Sequence, residues 1–238
     1  MKTEIVAART AAAARVDIYA LIHKAVRAFM CETLTMLGSL DGSDERALAD
    51  GIAQVRSLAA FCASHLRHEN AFVHTAMEAR QPGSAQALQA EHVQHEEELA
   101  HLLALTQAVE ESKGQPREIA LMQLYRCLAL FVGENLTHMH VEETGHNAVL
   151  WSTYTDEELI GIEQAIVASI PPDESAVGMG WMIPAMNPSE RAEKLASIRA
   201  HAPAPVFDAL LGIAEARLSQ GDWIKLRQAL ALPAQLAA

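Results

Sequence analysis

Residues 137–146, THMHVEETGH, place His138 and Glu142 four positions apart, and residues 65–74, HLRHENAFVH, do the same with His65 and Glu69. On an α-helix two such residues share a face with Cβ atoms about 5–6 Å apart, so each pair can reach one cation or two adjacent ones. Whether they do depends on the faces they occupy. Stepping outward from 138 by threes and fours gives Leu124, Leu128, Phe131, Asn135, His138, Glu142, Gly145 and Val149. The same steps from 65 give Leu58, Cys62, His65, Glu69, Phe72 and Ala76. Apart from Asn135 both series are otherwise apolar, the mark of core-facing helical stripes.

Two further stretches repeat the pattern with imidazoles and no carboxylate. Val16, Tyr19, His23, Val26, Met30, Thr33 and Leu37 form one stripe, and Leu88, His92, His95, Leu99, Leu102, Thr106 and Val109 form another. His65 follows His23 by 42 residues and His138 follows His92 by 46, the spacing expected of one helix hairpin used twice. A carboxylate buried in an apolar interior costs several kcal/mol unless something compensates it, and a cation is the natural compensator.

Glycine and proline interrupt these stripes at 38–43, at 82–84 and at 114–116. Four long segments result, at about 10–37, 44–80, 84–113 and 116–150, and the short connections favour antiparallel neighbours. The expected architecture is all-α, an antiparallel four-helix bundle over 1–150 followed by a helical accessory region, 151–238, packed on it. Helix-start signals in the second region are Thr155 with Glu158, Asn187-Pro188 with Glu190, Pro205 and Asp222. The 178–186 stretch gives no clear helical pattern.

Composition narrows the partners. The 238-residue chain carries a formal charge of −12, which disfavours nucleic acid and anionic membranes, since both need clustered cationic surface. Arg9, Arg15 and Asp17 interrupt any leader-like apolar run, and no uncharged apolar stretch reaches the roughly 18 residues of a membrane span, so a cytoplasmic location is expected. Three widely spaced cysteines without a CxxC pair read as buried free thiols. Imidazole and carboxylate donors without thiolate suit iron, with manganese or zinc as alternatives. Four histidines and two bridging glutamates would fill roughly eight of the about twelve positions of two octahedral ions. A solvent-derived oxo or hydroxo bridge would take two more, which leaves the centre open to an exogenous molecule.

The arrangement resembles the hemerythrin-like (HHE cation-binding) family, over about residues 15–152. The resemblance is carried by His23 in DIYALIHKAV, His65 and Glu69 in HLRHENAFVH, His92 in AEHVQHEEEL, and His138 and Glu142 in THMHVEETGH. It implies a non-heme di-iron centre with His23, His65, His92 and His138 as terminal ligands and Glu69 and Glu142 as bridges. The oxygen-carrying members have a His-x-x-x-His pair on the third helix and an Asp five positions after the fourth-helix His. Here Glu96 follows His92 at that spacing, and Glu142 lies four positions after His138. The resemblance therefore implies binding or sensing of O2, NO or redox state at an open coordination site. The alternative is a di-iron oxygenase or peroxidase-type enzyme acting on O2, peroxide or a small organic substrate.

His95 reads equally as a further ligand or as a neighbour of the ligands, and His146 as a donor orienting Glu142. Tyr19 reads as core filling, and His68, His74, His101 and His140 as surface or boundary residues. Glu98-His101 and Glu143-His146 match the Glu-x-x-His motif of ferritin-like sites, but their glutamates lie off the stripes. The run Glu96, Glu97, Glu98 reads as a solvated face.

Overall fold

A computed structural model describes residues 15–232, and every regular element among them is helical. The first five helices are α1 (Ala20–Gly38), α2 (Glu45–His68), α3 (Thr75–Arg80), α4 (Gln86–Glu111) and α5 (Gln115–Val141). A π-helical turn, Glu69–His74, joins α2 to α3, and a second, Glu142–His146, joins α5 to α6 (Asn147–Thr153). Then come α7 (Asp156–Ser169), α8 (Pro172–Ala185), α9 (Pro188–His201), α10 (Ala204–Arg217) and α11 (Gln220–Ala229).

The first long helix starts at Ala20, later than expected, and residues 10–14 of the expected segment lie outside the described residues. The Asp17 carboxylate accepts the backbone N–H groups of Tyr19 and Ala20, satisfying donors that a helix start leaves open. Asp44 caps α2 in the same way through Arg46 and Ala47. Gly114, with φ of 61°, makes the left-handed turn between α4 and α5, a conformation that glycine adopts without steric cost. The Arg117 side chain donates to the carbonyls of Ser112 and Gly42 and pairs with Glu45, tying two connections together.

The chain forms two compact units. One contains residues 15–20 and Phe29–Ile170, the other Leu21–Ala28 and 171–232. The division falls at Ile170. The cause is α7: Leu159 packs with Tyr19, Val73, Met77, Ala85 and Leu150 in one buried cluster, joined by Trp151, Ile162 and Ile166. Arg15 reinforces it, pairing with Asp156 at 2.6 Å and donating to the carbonyls of Trp151 and Tyr154.

Within the first unit α4 packs against both α2 and α5. The α1–α2 contact includes the Phe29 and Phe61 rings, 5.9 Å apart, and a Gln54 amide donating to Thr33. The seven residues of the third stripe, from Leu88 to Val109, are all buried. The run Gln115–Thr153 is long and apolar enough to cross a membrane by length and composition alone, although Arg126 and Glu134 keep it from being an uncharged stretch. Its charges are spaced widely enough that its average stays apolar.

The second unit has its own core of Ile183, Met186, Leu195, Phe207, Leu210, Ala214, Leu226 and Leu230. Residues 178–185, without clear pattern in the sequence, are helical within α8. Capping boxes form at Thr155/Glu158 and Asn187/Glu190, Pro205 lies in the first turn of α10, and Ser219 accepts the Asp222 N–H at the start of α11. Buried Arg191 donates to the carbonyls of Ile183 and Met186, and Lys24 pairs with Glu190 at 2.6 Å.

Candidate metal centre

The centre lies where α2, α4, α5 and the two π-turns bring imidazoles and carboxylates together inside the first unit. Glu69, His92, His138 and Glu142 are all buried, and one donor atom from each falls within 4.8 Å of the others. This group could hold a metal ion.

Its geometry is specific. The His92 and His138 Nε2 atoms lie 3.0 Å apart. The outer nitrogen of each ring is engaged: His92 Nδ1–H donates to Asn70 Oδ1 at 2.8 Å, and His138 Nδ1–H donates to Glu91 Oε2 at 2.9 Å. With the outer protons fixed in this way, both inner nitrogens direct lone pairs at each other, an arrangement that requires a proton or a cation between them. The carboxylates surround the same point. Glu142 Oε1 is 3.3 Å from His138 Nε2 and 3.7 Å from His92 Nε2. Glu69 faces two rings with different oxygens, Oε1 at 3.1 Å from His65 Nε2 and Oε2 at 3.7 Å from His92 Nε2. A carboxylate so placed can span two adjacent ions.

The electrostatics follow the donor set. Burial alone would lower the His138 pKa, but its hydrogen bond to Glu142, the Glu142 charge and the bond to Glu91 carry it up to about 9. Burial lowers the His95 pKa to about 4, with the neighbouring His138 and His92 rings adding to the effect. Burial also pushes the Cys62 thiol up to about 12, assisted by Glu69, so it stays protonated beside the centre. Of the three thiols expected to be buried, only Cys62 is: Cys31 is exposed and Cys127 half-buried.

The structure thus brings together His65, Glu69, His92, His138 and Glu142. His23 is fully buried near the start of α1, in the stretch Leu21–Ala28 that counts with the second unit. His95 is buried with its ring edge-on to His138 at 4.8 Å, but it belongs to none of the donor groups among the described residues. Glu96 is exposed, as is His101, so the Glu98-His101 pair points away from a buried site.

His74 is the correction. Expected at a surface or boundary, it is 2 % exposed, stacked on His92 with centroids 4.8 Å apart and edge-on to His146 at 5.2 Å. It forms a second group with Glu142 and His146, all buried. Burial lowers its pKa to about 4, with His92 and His146 contributing. His146 is buried too, and its Nδ1 lies 3.1 Å from the Tyr19 hydroxyl. Tyr19 therefore does more than fill the core.

The place of His74 and the shift of burial along both turns have one cause. Five residues along an α-helix turn about 500°, leaving the fifth about 140° away from the first. An i→i+5 turn holds one more residue and returns the fifth nearly above the first. In Glu69–His74 this places His74 near the Glu69 face and moves burial from the expected Phe72 and Ala76 to Val73 and Met77. In Glu142–His146 it moves burial from Gly145 and Val149 to His146 and Leu150. Asn70 and Glu91 were also missed, because each lies beside a stripe and reaches the centre through a hydrogen bond. The ENAFVH and EETGH repeat of an acid followed by a histidine at five and four positions was the available signal.

Comparison with known protein families, with curated proteins and with solved structures returned no match.

Proposed function

We propose that the chain is a hemerythrin-like, four-helix-bundle di-iron protein that binds or senses O2, NO or redox state at an open coordination site. The observation that carries this reading is the facing pair of ring nitrogens, His92 Nε2 and His138 Nε2, between two buried carboxylates. The donor set fits iron: neutral imidazoles and hard carboxylate oxygens, with no thiolate engaged. In this reading His65, His92 and His138 are terminal ligands, and Glu69 and Glu142 bridge the ions. Bound iron would supply one-electron redox change and an open position for a diatomic ligand.

The chain's own residues do the rest. Asn70 and Glu91 fix the His92 and His138 rings with lone pairs inward, which keeps donor positions rigid through a change of oxidation state. Leu99, Leu128 and Phe131 belong to the same buried stripes and limit access of bulk water. The departure from the carrier's third-helix pattern favours sensing or reaction over reversible carriage.

The test is elemental analysis and optical spectroscopy on freshly purified protein. Near two irons per chain, with near-ultraviolet charge-transfer absorption that develops when a reduced anaerobic sample meets air or NO, is expected. Loss of iron in His65→Ala and Glu142→Ala completes the expectation. Absence of iron, or a spectrum indifferent to both gases, would overturn the proposal, and multiple turnover of peroxide or an organic substrate would replace sensing by catalysis.

A further inference from the structure

The residues assigned above leave His74 and His146 without a task. His74 is fully enclosed, yet neither of its ring nitrogens has a hydrogen-bond partner among the described residues. A buried imidazole deprived of both hydrogen bonds costs about 1–3 kcal/mol for each group left unsatisfied. The surroundings offer an explanation. A donor atom of His74 lies within 4.8 Å of donor atoms of Glu142 and His146, and all three side chains are buried. Tyr19 engages Nδ1 of His146, so Nε2 is the nitrogen left to ligate.

The backbone is built for this convergence. Each π-turn begins on a glutamate of the centre and ends on one of these two histidines. A π-turn is costlier than the α-turn it replaces and is found mostly where a function needs it. Without the extra residue His74 would point well away from Glu69, and its ring would not stack on His92.

We infer that His74, Glu142 and His146 form a further cation position, for a divalent first-row transition ion held by two imidazoles and one carboxylate. Such a donor set leaves open positions on the ion, as in two-histidine, one-carboxylate iron and zinc sites. The inference rests on the metal reading of the centre only in sharing Glu142. Its other donors are separate, so the two can fail independently.

The full-length chain, stripped of metal, would be loaded with Fe²⁺ under anaerobic conditions and its ions counted by native mass spectrometry. His74→Ala and His146→Ala should each lose one ion per chain relative to the parent, with unchanged helical circular dichroism, while His68→Ala keeps the full count. Parent-level counts in both variants would overturn the inference and leave the di-iron reading untouched. Loss of an ion in the His74 variant but not in His92→Ala would uphold it and count against the di-iron reading. Should the variants unfold, the parent alone decides: Zn²⁺ should move the ¹⁵N resonances of the His74 and His146 rings to ligated values, and unmoved resonances would overturn the inference.

Discussion

His92 and His138, 46 residues apart in the chain, meet with their Nε2 atoms 3.0 Å apart while Asn70 and Glu91 hold the opposite nitrogens. The contact needs a cation or a proton at its middle. A ligand that binds only the folded chain stabilises it by about 2.7 kcal/mol at a hundredfold excess over its Kd. Thermal melts of metal-free protein should therefore shift upward by several degrees on anaerobic addition of Fe²⁺. An unshifted melt would argue that nothing binds there.

Partners behind the ligands should matter nearly as much as the ligands. Asn70→Ala frees the His92 ring to rotate, and Glu91→Gln removes the charge behind His138. Substitutions of this type weaken metal binding by about 10–100-fold. Chelator competition would measure it, and affinities equal to the parent's would remove both residues from the account.

Glu142 serves both function and stability. It is wholly buried, and its carboxylate contacts the His92 and His138 rings. Glu142→Gln keeps the shape and deletes the charge that holds the His138 proton, so metal binding should collapse and the metal-free protein should melt below its parent at neutral pH. A metal-free variant that melts with its parent would contradict this.

Acid and base should destabilise the metal-free chain for different reasons. His74 and His95 have folded pKa values lowered to about 4 from 6.5, chiefly by burial. The unfolded chain takes up protons that the folded one refuses, so stability falls as pH drops through that interval. His138 has the opposite sign: burial opposes its charge, but Glu142 and Glu91 raise its pKa to about 9, so its contribution is full below 6.5 and is lost as pH rises through 9. Urea midpoints measured in chelator should peak near pH 6.5, and a midpoint rising steadily from pH 7 to 9 would refute the His138 part.

The shifted register has its own test. Met77 is fully buried, whereas Ala76, expected on the stripe, is only half-buried. Met77→Ala should cost about 2–5 kcal/mol, the range for emptying a packed core site. Ala76→Ser should cost well under that, as read from denaturant midpoints. Equal costs would mean that the turn at Glu69–His74 is an ordinary helix.

Much of this was legible in the sequence for a local reason. Helical periodicity depends on neighbours three and four positions away, so the helical class, the third stripe from Leu88 to Val109 and the capping signals at Thr155 and Asn187 could be read directly. The same periodicity put His65, Glu69, His92, His138 and Glu142 on inward faces. It failed at His74, Val73 and Met77, because each lies within or beyond a turn that holds one extra residue.

The sequence by itself determined which residues face inward wherever the helix is regular, since that depends on a fixed angle per residue. Only the tertiary structure decided what meets there: the facing nitrogens of His92 and His138, the hydrogen bonds of Asn70 and Glu91, and the inclusion of His74. Those depend on how helices far apart in the chain pack and on where one of them widens to π, energies that local spacing does not encode.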